Sequence, residues 1–324
     1  MCTAITFEGR DFYFGRTLDT EYSFGEQIVF TKRSFPFFKS GATGRYAIIG
    51  MAKLYSGCPL FFDGMNEEGL CMAALNYVGY AHYPEGEESE DALPPYKLIP
   101  FILSRCKSLS EAREELKGIK LINKSPAADL PVSQLHFIIA DKSGAITVEP
   151  DPDGIKIYEN HLGVLSNTPS FPFHSENLNL FLNLTPTEAE NRFSNRLLLK
   201  PTSRGLGSFG LPGDPSSPSR FIRACFYKFN TPPLDGSEGE CLSQIFHVLG
   251  GVEQIAGAVR VNDGLVKTAY AACMNANTGV YYYKTYCNSR INAVSMLLED
   301  PEGDGLITFP LAAEEDILLE NKKI

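Results

Sequence analysis

The sequence has no long apolar run, no closely spaced cysteine or histidine pair, and no excess of basic residues. None of its apolar runs approaches the roughly 18 residues of a membrane-spanning helix, so we expect no membrane segment. A formal net charge of -10 argues against nucleic acid and anionic membranes as main partners. The N-terminus lacks the basic and apolar regions of a signal peptide, so the sequence predicts a cytoplasmic protein.

The cysteines and histidines do not form a metal-binding pattern. The eight cysteines include no CxxC pair, and the five histidines include no HxxxH pair. In a reducing compartment, widely spaced cysteines are typical of buried thiols rather than of disulfides or a zinc site. We therefore expect no bound metal.

One cysteine directly follows the start methionine and is a candidate nucleophile. Removal of Met1 is favoured when the next residue is small, and it would leave Cys2 with both a thiol and a free α-amine. One residue could then supply a nucleophile and its general base, as in the N-terminal Thr enzymes. The alternative is that a cysteine follows Met1 by chance, and position 2 taken alone favours that alternative.

Two short β-prone segments, 2–7 and 11–16, flank a three-residue loop with a glycine and predict a β-hairpin. This loop length puts Arg16 directly opposite Cys2, whereas a two-residue loop would turn Arg16 to the other face. In the first register the guanidinium would favour the Cys2 thiolate. Asp19 could accept a hydrogen bond from the α-amine. The alternative for Arg16 and Asp19 is an exposed ion pair.

The rest of the pattern alternates groups of strands with pairs of helices. The predicted strands are 46–54, 59–63, 70–76, 135–140, 145–149, 155–158, 161–166, 269–275, 280–286 and 290–297, and the predicted helices are 96–106, 109–116, 217–229 and 237–249. Ser108 with Glu111, and Ser237 with Glu240, predict capping boxes at two of the helix starts. This order is typical of an α+β sandwich of two sheets with helices outside, and no linker divides 1–324, so we expect one domain.

Two loop motifs have competing interpretations. The segment 205–210 matches GxGxxG, but Pro212 and Gly213 follow where a dinucleotide-binding motif needs a helix, so we reject that interpretation. Asn167 ends a predicted strand that Pro169 stops. A side-chain amide at such a place can take part in chemistry or cap a turn, and turn capping is the commoner role.

Several stretches, taken together and in order, resemble the choloylglycine hydrolase family, which includes bile salt hydrolases and penicillin V acylases. The matching stretches are MCT (1–3), FGRTLD (14–19), DGMNEEGL (63–70), ALN (74–76), GVLSNTP (163–169), GLPGD (210–214) and SRF (219–221). Each motif is weak by itself, but the ordered set is specific and covers most of the chain.

The resemblance implies an N-terminal nucleophile (Ntn) hydrolase with an αββα four-layer sandwich, commonly a homotetramer, that needs no metal or cofactor. It also implies an active site around Cys2, in which Cys2 forms an acyl-thioester, the Asn167 side chain and the Asn76 backbone N–H stabilise the oxyanion, and the α-amine moves protons. The remaining members of this implied site are Arg16, Asp19 and Arg220.

The resemblance also points to a substrate. Asn at position 76 is typical of the bile salt hydrolases, while Tyr marks many penicillin V acylases. Apolar residues could line a steroid pocket, although most such residues are core; these candidates are Leu18, Phe24, Phe61 and Phe137. Arg204 lies in a segment, 203–205, that resembles the family's taurine-favouring loop and could bind a sulfonate. A solvated loop arginine is the alternative.

Two other functions compete with a bile salt hydrolase. A penicillin V acylase or an N-acyl homoserine lactone acylase would keep the fold and the Cys2 mechanism. A catalytically inactive protein that binds bile acids is the alternative from another class, but the presence of Cys2, Arg16 and Asn167 argues against it.

Overall fold

The computed structural model describes residues 1–38 and 44–321. In chain order its strands are β1 (Cys2–Glu8), β2 (Phe12–Thr20), β3 (Glu26–Thr31), β4 (Ile48–Tyr55), β5 (Cys58–Phe61), β6 (Asp63–Asn66), β7 (Cys71–Asn76), β8 (Ala92–Leu93), β9 (Lys120–Leu121), β10 (Leu135–Asp141), β11 (Gly144–Asp151), β12 (Gly154–Glu159), β13 (Val164–Leu165), β14 (Val259–Val261), β15 (Gly264–Asn275), β16 (Val280–Thr285), β17 (Asn288–Ser295) and β18 (Leu306–Phe309). Its α-helices are α1 (Leu98–Arg105), α2 (Leu109–Leu116), α3 (Phe171–Leu178), α4 (Ser217–Asn230) and α5 (Glu238–Gly250).

Most strands belong to two large antiparallel sheets. Within the described residues, sheet 1 has the order β13-β1-β2-β15-β16-β17, with β14 added to β15. Sheet 2 has the order β12-β11-β10-β7-β6-β4-β3-β18, with β5 added to β4. The first strand of the chain is therefore an inner strand of sheet 1, and every residue of β1 except Glu8 is buried.

Helices cover the outer face of each sheet. Helices α4 and α5 pack on β1, β2 and β15 of sheet 1, and α1 and α2 pack on β6, β7, β10 and β11 of sheet 2. Both sheets are thus buried on two faces, which explains why β1 and β7 are buried at every position except the last rather than at alternate positions. The predicted α+β four-layer sandwich is confirmed.

The helix caps follow the sequence in one case and differ in the other. The predicted Ser237–Glu240 capping box is present at the start of α5. At α2 only half of the predicted box forms, because the Ser108 side chain accepts from Glu111 N at 3.3 Å while the Glu111 carboxylate accepts from Lys107 N. The capping box predicted at α2 is therefore wrong in one of its two hydrogen bonds, because the Glu111 carboxylate bonds to Lys107 N instead of Ser108 N.

The predicted register of the first hairpin is wrong by two residues. Cys2 lies opposite Leu18, and Arg16 lies opposite Ala4. Strand β1 continues through Glu8, so the turn lies one residue further along the chain than predicted. A hydrogen bond from Arg10 N to Leu234 O, at 2.7 Å, holds the turn in this place. A shift of two keeps every side chain on its predicted face, so Arg16 lies diagonally across from Cys2 on the same side of the sheet.

The structure also contains elements that the sequence did not predict. These are the strands β3, β8, β9, β14 and β18 and the helix α3, which begins shortly after Asn167. Within the described residues, no helix is long and apolar enough to cross a membrane.

Candidate active site

Cys2 begins β1 and is buried, with 2% of its surface exposed. Its backbone N–H donates to Asn167 Oδ1 at 2.6 Å. Met1 precedes it and extends the hairpin, because Asp19 N donates to Met1 O at 2.7 Å and the Met1 amine donates to Asp19 O. The nitrogen that would become the α-amine of Cys2 is therefore already directed at a side chain from a distant part of the chain.

Arg16, on β2, is fully buried and is held by a set of acceptors. Its Nε donates to Thr17 O at 3.2 Å, and its Nη1 donates to Phe62 O at 3.1 Å and to Asp63 Oδ2 at 3.2 Å. Burial alone would lower the pKa of Arg16, but the acidic groups around it, with Tyr270 and Cys2 as the largest contributors, raise it above its usual value. The guanidinium therefore carries its charge beside Cys2.

Asp19, also on β2, lies between Thr268 and Arg220. Its Oδ1 accepts from Thr268 Oγ1 at 2.7 Å, and its Oδ2 lies 3.9 Å from Nη1 of Arg220. That Oδ2 is buried and has no hydrogen-bond partner within the described residues. Burial raises the pKa of Asp19, while Arg220 and the N-terminal amine act in the opposite direction. A cation placed at this oxygen would stabilise the carboxylate.

Arg220 lies in the first turn of α4 and ties three segments together. Its Nη1 donates to Cys2 O at 2.5 Å and also to Thr3 Oγ1, and its Nη2 donates to Asn167 Oδ1 at 2.7 Å. Burial lowers the pKa of Arg220, although an arginine remains charged at neutral pH. Arg220 thus fixes the backbone of the first strand and the Asn167 amide in one arrangement.

Asn167 and Asn76 meet through one hydrogen bond, from Asn167 Nδ2 to Asn76 O at 2.8 Å. Because Oδ1 of Asn167 accepts from Cys2 N and from Arg220, the amide is oriented with its NH₂ group towards the end of β7. On the far side, Nε2 of the buried His174 lies 2.8 Å from Asn167 O. Burial lowers the pKa of His174 to about 4, so it is neutral and donates this bond.

The ladder geometry leaves the backbone N–H of Asn76 directed away from β10. Tyr77 N donates to Gln134 O, so the adjacent pair, Asn76 with Leu135, is a pair without hydrogen bonds in the antiparallel alternation. On the other side, the β7 pairing to β6 ends with Asp63 opposite Ala73. The Asn76 N–H and the Asn167 NH₂ group therefore lie at the same open end of sheet 2.

The cluster contains acidic and aromatic groups that the sequence reasoning did not assign. Asp63 accepts from Arg16, and the hydroxyls of Tyr270 and Tyr281 donate to its Oδ2 and Oδ1 at 2.5 and 2.6 Å. The hydroxyl of Thr268 likewise donates to the carboxylate of Asp19. One signal was available, because an aspartate between apolar strand segments must be buried with a partner.

The structure does not bring all the predicted pocket residues to Cys2. Leu18 lies directly opposite Cys2, and Phe24 packs beside Phe62 at 5.3 Å between ring centroids. Phe61 and Phe137, in contrast, are buried among the residues under α1 and α2, on the helix-covered side of sheet 2.

Arg204 is exposed in the loop between α3 and α4. Within the described residues, no hydrogen bond or ion pair joins it to the cluster around Cys2. In the same part of the chain, no group of three His, Cys, Asp or Glu side chains could hold a metal ion.

The cluster is thus a buried, polar and charge-balanced site around one thiol. The two buried guanidinium groups, Arg16 and Arg220, lie beside two buried carboxylates, Asp63 and Asp19. A thiolate next to Arg16 and an ammonium next to Asp19 would add one charge of each sign, so the balance is kept. Such a site can activate a thiol for attack on a carbonyl carbon and offer amide N–H groups to the developing oxyanion.

Comparison with known proteins gives the family. Residues 2–309 match the model of the linear amide C–N hydrolases, choloylglycine hydrolase family. The chain is 42% identical to the bile salt hydrolase/transferase of Lactiplantibacillus plantarum, over 97% of this chain and 98% of that protein.

Two solved structures extend the comparison. A mutant conjugated bile acid hydrolase from Clostridium perfringens superposes with a TM-score of 0.91 at 32% identity, over 99% of this chain and 100% of that one. Penicillin V acylase from Agrobacterium tumefaciens, with a TM-score of 0.75 at 18% identity over 96% and 92% of the two chains, shares the fold. By these matches and its Ntn fold, the chain belongs to the choloylglycine hydrolase family of linear amide C–N hydrolases.

Proposed function

We propose that the protein hydrolyses the amide bond of taurine- or glycine-conjugated bile acids, with Cys2 as the nucleophile once Met1 has been removed. The observation that carries the proposal is the meeting of Cys2 with two buried arginines, one aspartate and the Asn167 amide. The names of the relatives supply the substrate class.

Removal of Met1 would complete the nucleophile. It breaks the two bonds between Met1 and Asp19 and converts the Cys2 nitrogen into an α-amine that still faces Asn167 Oδ1. We infer that the new ammonium stabilises the charge on Oδ2 of Asp19, which is buried and has no hydrogen-bond partner in the part of the chain that the structure describes. Asp19 is thereby the group that holds the α-amine, and Arg16 favours the thiolate.

The acylation step follows from this arrangement. The Cys2 thiolate attacks the amide carbonyl carbon, and the carbonyl oxygen becomes an oxyanion. Asn167 Nδ2 and the Asn76 backbone N–H donate to that oxygen, and one such donor contributes roughly 3–4 kcal/mol to transition-state stabilisation. The α-amine, as its ammonium form, gives a proton to the leaving nitrogen, so taurine or glycine departs and an acyl-thioester remains.

The deacylation step restores the enzyme. The α-amine, now neutral, takes a proton from water, and the resulting hydroxide attacks the thioester carbonyl carbon. The carbon–sulfur bond breaks, the bile acid leaves and the thiolate is regenerated. The name of the Lactiplantibacillus plantarum relative includes transferase, and an amine in place of that water would receive the same acyl group.

A steroid would be bound by an apolar rim next to the thiol. Leu18 faces Cys2 across the hairpin, and Phe24 stands between Tyr22 and Phe62, at 4.9 and 5.3 Å between ring centroids. The carbonyl of Phe62 also accepts from Arg16, which links this rim directly to the charged cluster. Phe61 and Phe137 face the opposite side of sheet 2 and are left out of the pocket.

We also propose that Arg204 favours taurine conjugates, because a guanidinium forms charge-assisted hydrogen bonds with a sulfonate. Arg204→Ala should lower the ratio of taurine to glycine release. Arg196→Ala, which removes another exposed arginine of the same loop, is the control. An unchanged ratio in Arg204→Ala would contradict this assignment.

We propose a cytoplasmic homotetramer. All eight cysteines are free thiols, in keeping with a reducing compartment. Between α3 and α4, large apolar side chains are 79–88% exposed, which a monomer rarely tolerates. These residues, Leu182, Phe193, Leu198 and Phe209, define an assembly surface.

The substrate is tested with purified protein whose N-terminus has been checked by mass. Release of taurine and glycine from taurocholate and glycocholate is measured beside cleavage of penicillin V. Bile salt cleavage in excess of penicillin V cleavage is the expected result. Cleavage of penicillin V alone would keep the Cys2 chemistry but change the substrate, and no cleavage at all without Met1 would favour a binding protein.

A further inference from the structure

Asp63 is a buried carboxylate with an unusually complete set of donors, and this inference rests on the proposed role of Cys2. Asp63 belongs to β6 of sheet 2, whereas Arg16, Tyr270 and Tyr281 come from three neighbouring strands of sheet 1. All four side chains are fully buried. Asp63 therefore joins the two sheets through Arg16, which lies diagonally across from Cys2 in the hairpin.

The contacts of Arg16 fix the direction of its remaining nitrogen. Nε donates to Thr17 O, and Nη1 donates to Phe62 O, Asp63 Oδ2 and Tyr270 Oη. Because a guanidinium is planar, anchoring Nε and Nη1 also fixes Nη2. Nη2 is buried and has no partner within the described residues. It is the nitrogen of Arg16 left for a thiolate on the same face of the hairpin.

We propose that Asp63 is a positioning residue that holds Arg16 beside the Cys2 thiolate and competes with the thiolate for its charge, and that the hydroxyls of Tyr270 and Tyr281 limit how strongly Asp63 holds the guanidinium. Burial raises the pKa of both tyrosines well above their ordinary range, so both hydroxyls keep their protons and donate. Each donated bond spreads the charge of the carboxylate away from Arg16.

The charge around Cys2 comes from a small set of groups. Arg16 of β2, Arg220 of α4 and Tyr270 of β15 interact electrostatically with the Cys2 thiol. Three further groups act through these side chains, because Asp63 of β6 contacts Arg16, Tyr281 of β16 contacts Asp63, and Asp19 of β2 lies beside Arg220. The α-amine of Cys2 joins the set once Met1 is removed. Among these, Tyr281 contacts Asp63 Oδ1 and not the guanidinium. Substitution of Tyr281 therefore changes how strongly the Asp63 carboxylate attracts Arg16, without removing a hydrogen bond of Arg16 itself.

This arrangement predicts shifts of opposite sign. Asp63→Asn keeps the shape but removes the competing negative charge, so Arg16 stabilises the thiolate more and the pH midpoint of Cys2 alkylation falls by about one unit. Tyr281→Phe removes a donor from Asp63, which then holds Arg16 more tightly, and the midpoint rises by about half a unit. A loss of packing alone would not move the two variants in opposite directions.

The test measures the rate of iodoacetamide alkylation of Cys2 against pH, in protein freed of Met1. Mass spectrometry of the tryptic peptide 2–10 separates Cys2 from the other seven cysteines. The control is Tyr283→Phe, which removes a hydroxyl two residues along the same strand that accepts from Ala312 N. Its midpoint should equal that of the wild type.

Midpoints that stay in place, or that move in the same direction, would overturn the positioning role of Asp63. If Asp63→Asn does not fold, the rise in Tyr281→Phe decides the question alone. Failure of the proposed function looks different: wild-type protein alkylated at Cys2 would then keep its amidase activity. Inactivation of the wild type with unmoved midpoints in the variants contradicts only the inference about Asp63.

Discussion

At the scale of single residues, the site depends on buried charges that must be paired. Arg16 with Asp63, and Arg220 with Asp19, form two buried pairs whose remaining hydrogen bonds join them to backbone carbonyls, hydroxyls and the Asn167 side-chain oxygen. Removing one member of such a pair leaves an uncompensated charge, which is strongly destabilising. Substitutions in this cluster therefore need readouts that separate chemistry from folding.

Asn167→Asp separates the two roles of the Asn167 side chain. The carboxylate keeps acceptors for Cys2 N and Arg220, but it loses the NH₂ donor that now contacts Asn76 O. We expect kcat to fall by about 100- to 1,000-fold, the loss typical of one oxyanion donor. Steady-state kinetics beside thermal unfolding measures this.

Asn167→Ala is the comparison, because it removes the acceptor as well and should also lower the unfolding temperature. Equal kcat in Asn167→Asp and wild type would contradict the oxyanion role.

His174 predicts a pH-dependent stability. Its pKa falls from about 6.5 to about 4 on folding, so between these values the unfolded chain binds a proton that the folded chain excludes. Stability is therefore lost as the pH falls from 6.5 to 4, by about 3 kcal/mol in all. Denaturant unfolding of wild type and His174→Gln across this range measures the stability difference, which should change between pH 6.5 and 4 and should no longer depend on pH above pH 7.

His161→Gln, at an exposed position, is the control and should follow the wild type. A parallel loss of stability in wild type and His174→Gln would contradict the account of His174.

At the scale of elements, the sequence predicted most strands, the paired helices and the face of Arg16, because apolar runs, caps and period-two alternation are local signals. It missed the hairpin register because the turn is set by a contact with Leu234, more than 220 residues away. It missed Asp63 because its partners lie on strands of the other sheet.

The same limit applies to the predicted pocket. Composition cannot tell which side of sheet 2 a phenylalanine faces, and pairing shows that Phe137, opposite Ala74 and Val148, faces α1 and α2. Phe24, in contrast, packs against Phe62, whose backbone carbonyl accepts a hydrogen bond from Arg16, so Phe24 lies at the apolar rim of the site.

Two phenylalanine variants test this division. Phe137→Ala should cost about 3–5 kcal/mol of unfolding free energy because it leaves a cavity in a buried cluster. Phe24→Ala should keep most of the stability and raise KM for taurocholate. Denaturant unfolding and initial rates measure both quantities. Unchanged stability in Phe137→Ala, or unchanged KM in Phe24→Ala, would contradict the assignment of that residue.

At the scale of the whole molecule, the four-layer sandwich puts the N-terminal strand in the interior of sheet 1. A free α-amine at Cys2 would therefore lie inside the protein, next to Asn167 Oδ1, rather than at a mobile chain end. The single domain over 1–324, the homotetramer and the cytoplasmic location all stay predictions.

The assembly surface predicts the oligomer. Light scattering after gel filtration should give about four times the 35.7 kDa chain mass. Replacing Phe193 and Leu198 together by serine should lower the mass, because their exposed apolar surface would no longer be buried between copies. Leu318→Ser, at an exposed apolar position in the C-terminal segment, is the control. A monomeric wild type would contradict the tetramer.

The central claim is that bile salts are cleaved through an acyl-thioester on Cys2, and partitioning with hydroxylamine tests it most directly. Taurocholate and glycocholate would give the same cholyl-thioester, so added hydroxylamine should yield cholyl hydroxamate and cholate in one ratio for both substrates. Cys2→Ala should yield neither product. Absence of hydroxamate while cholate is released, or a ratio that depends on the conjugate, would contradict the common intermediate.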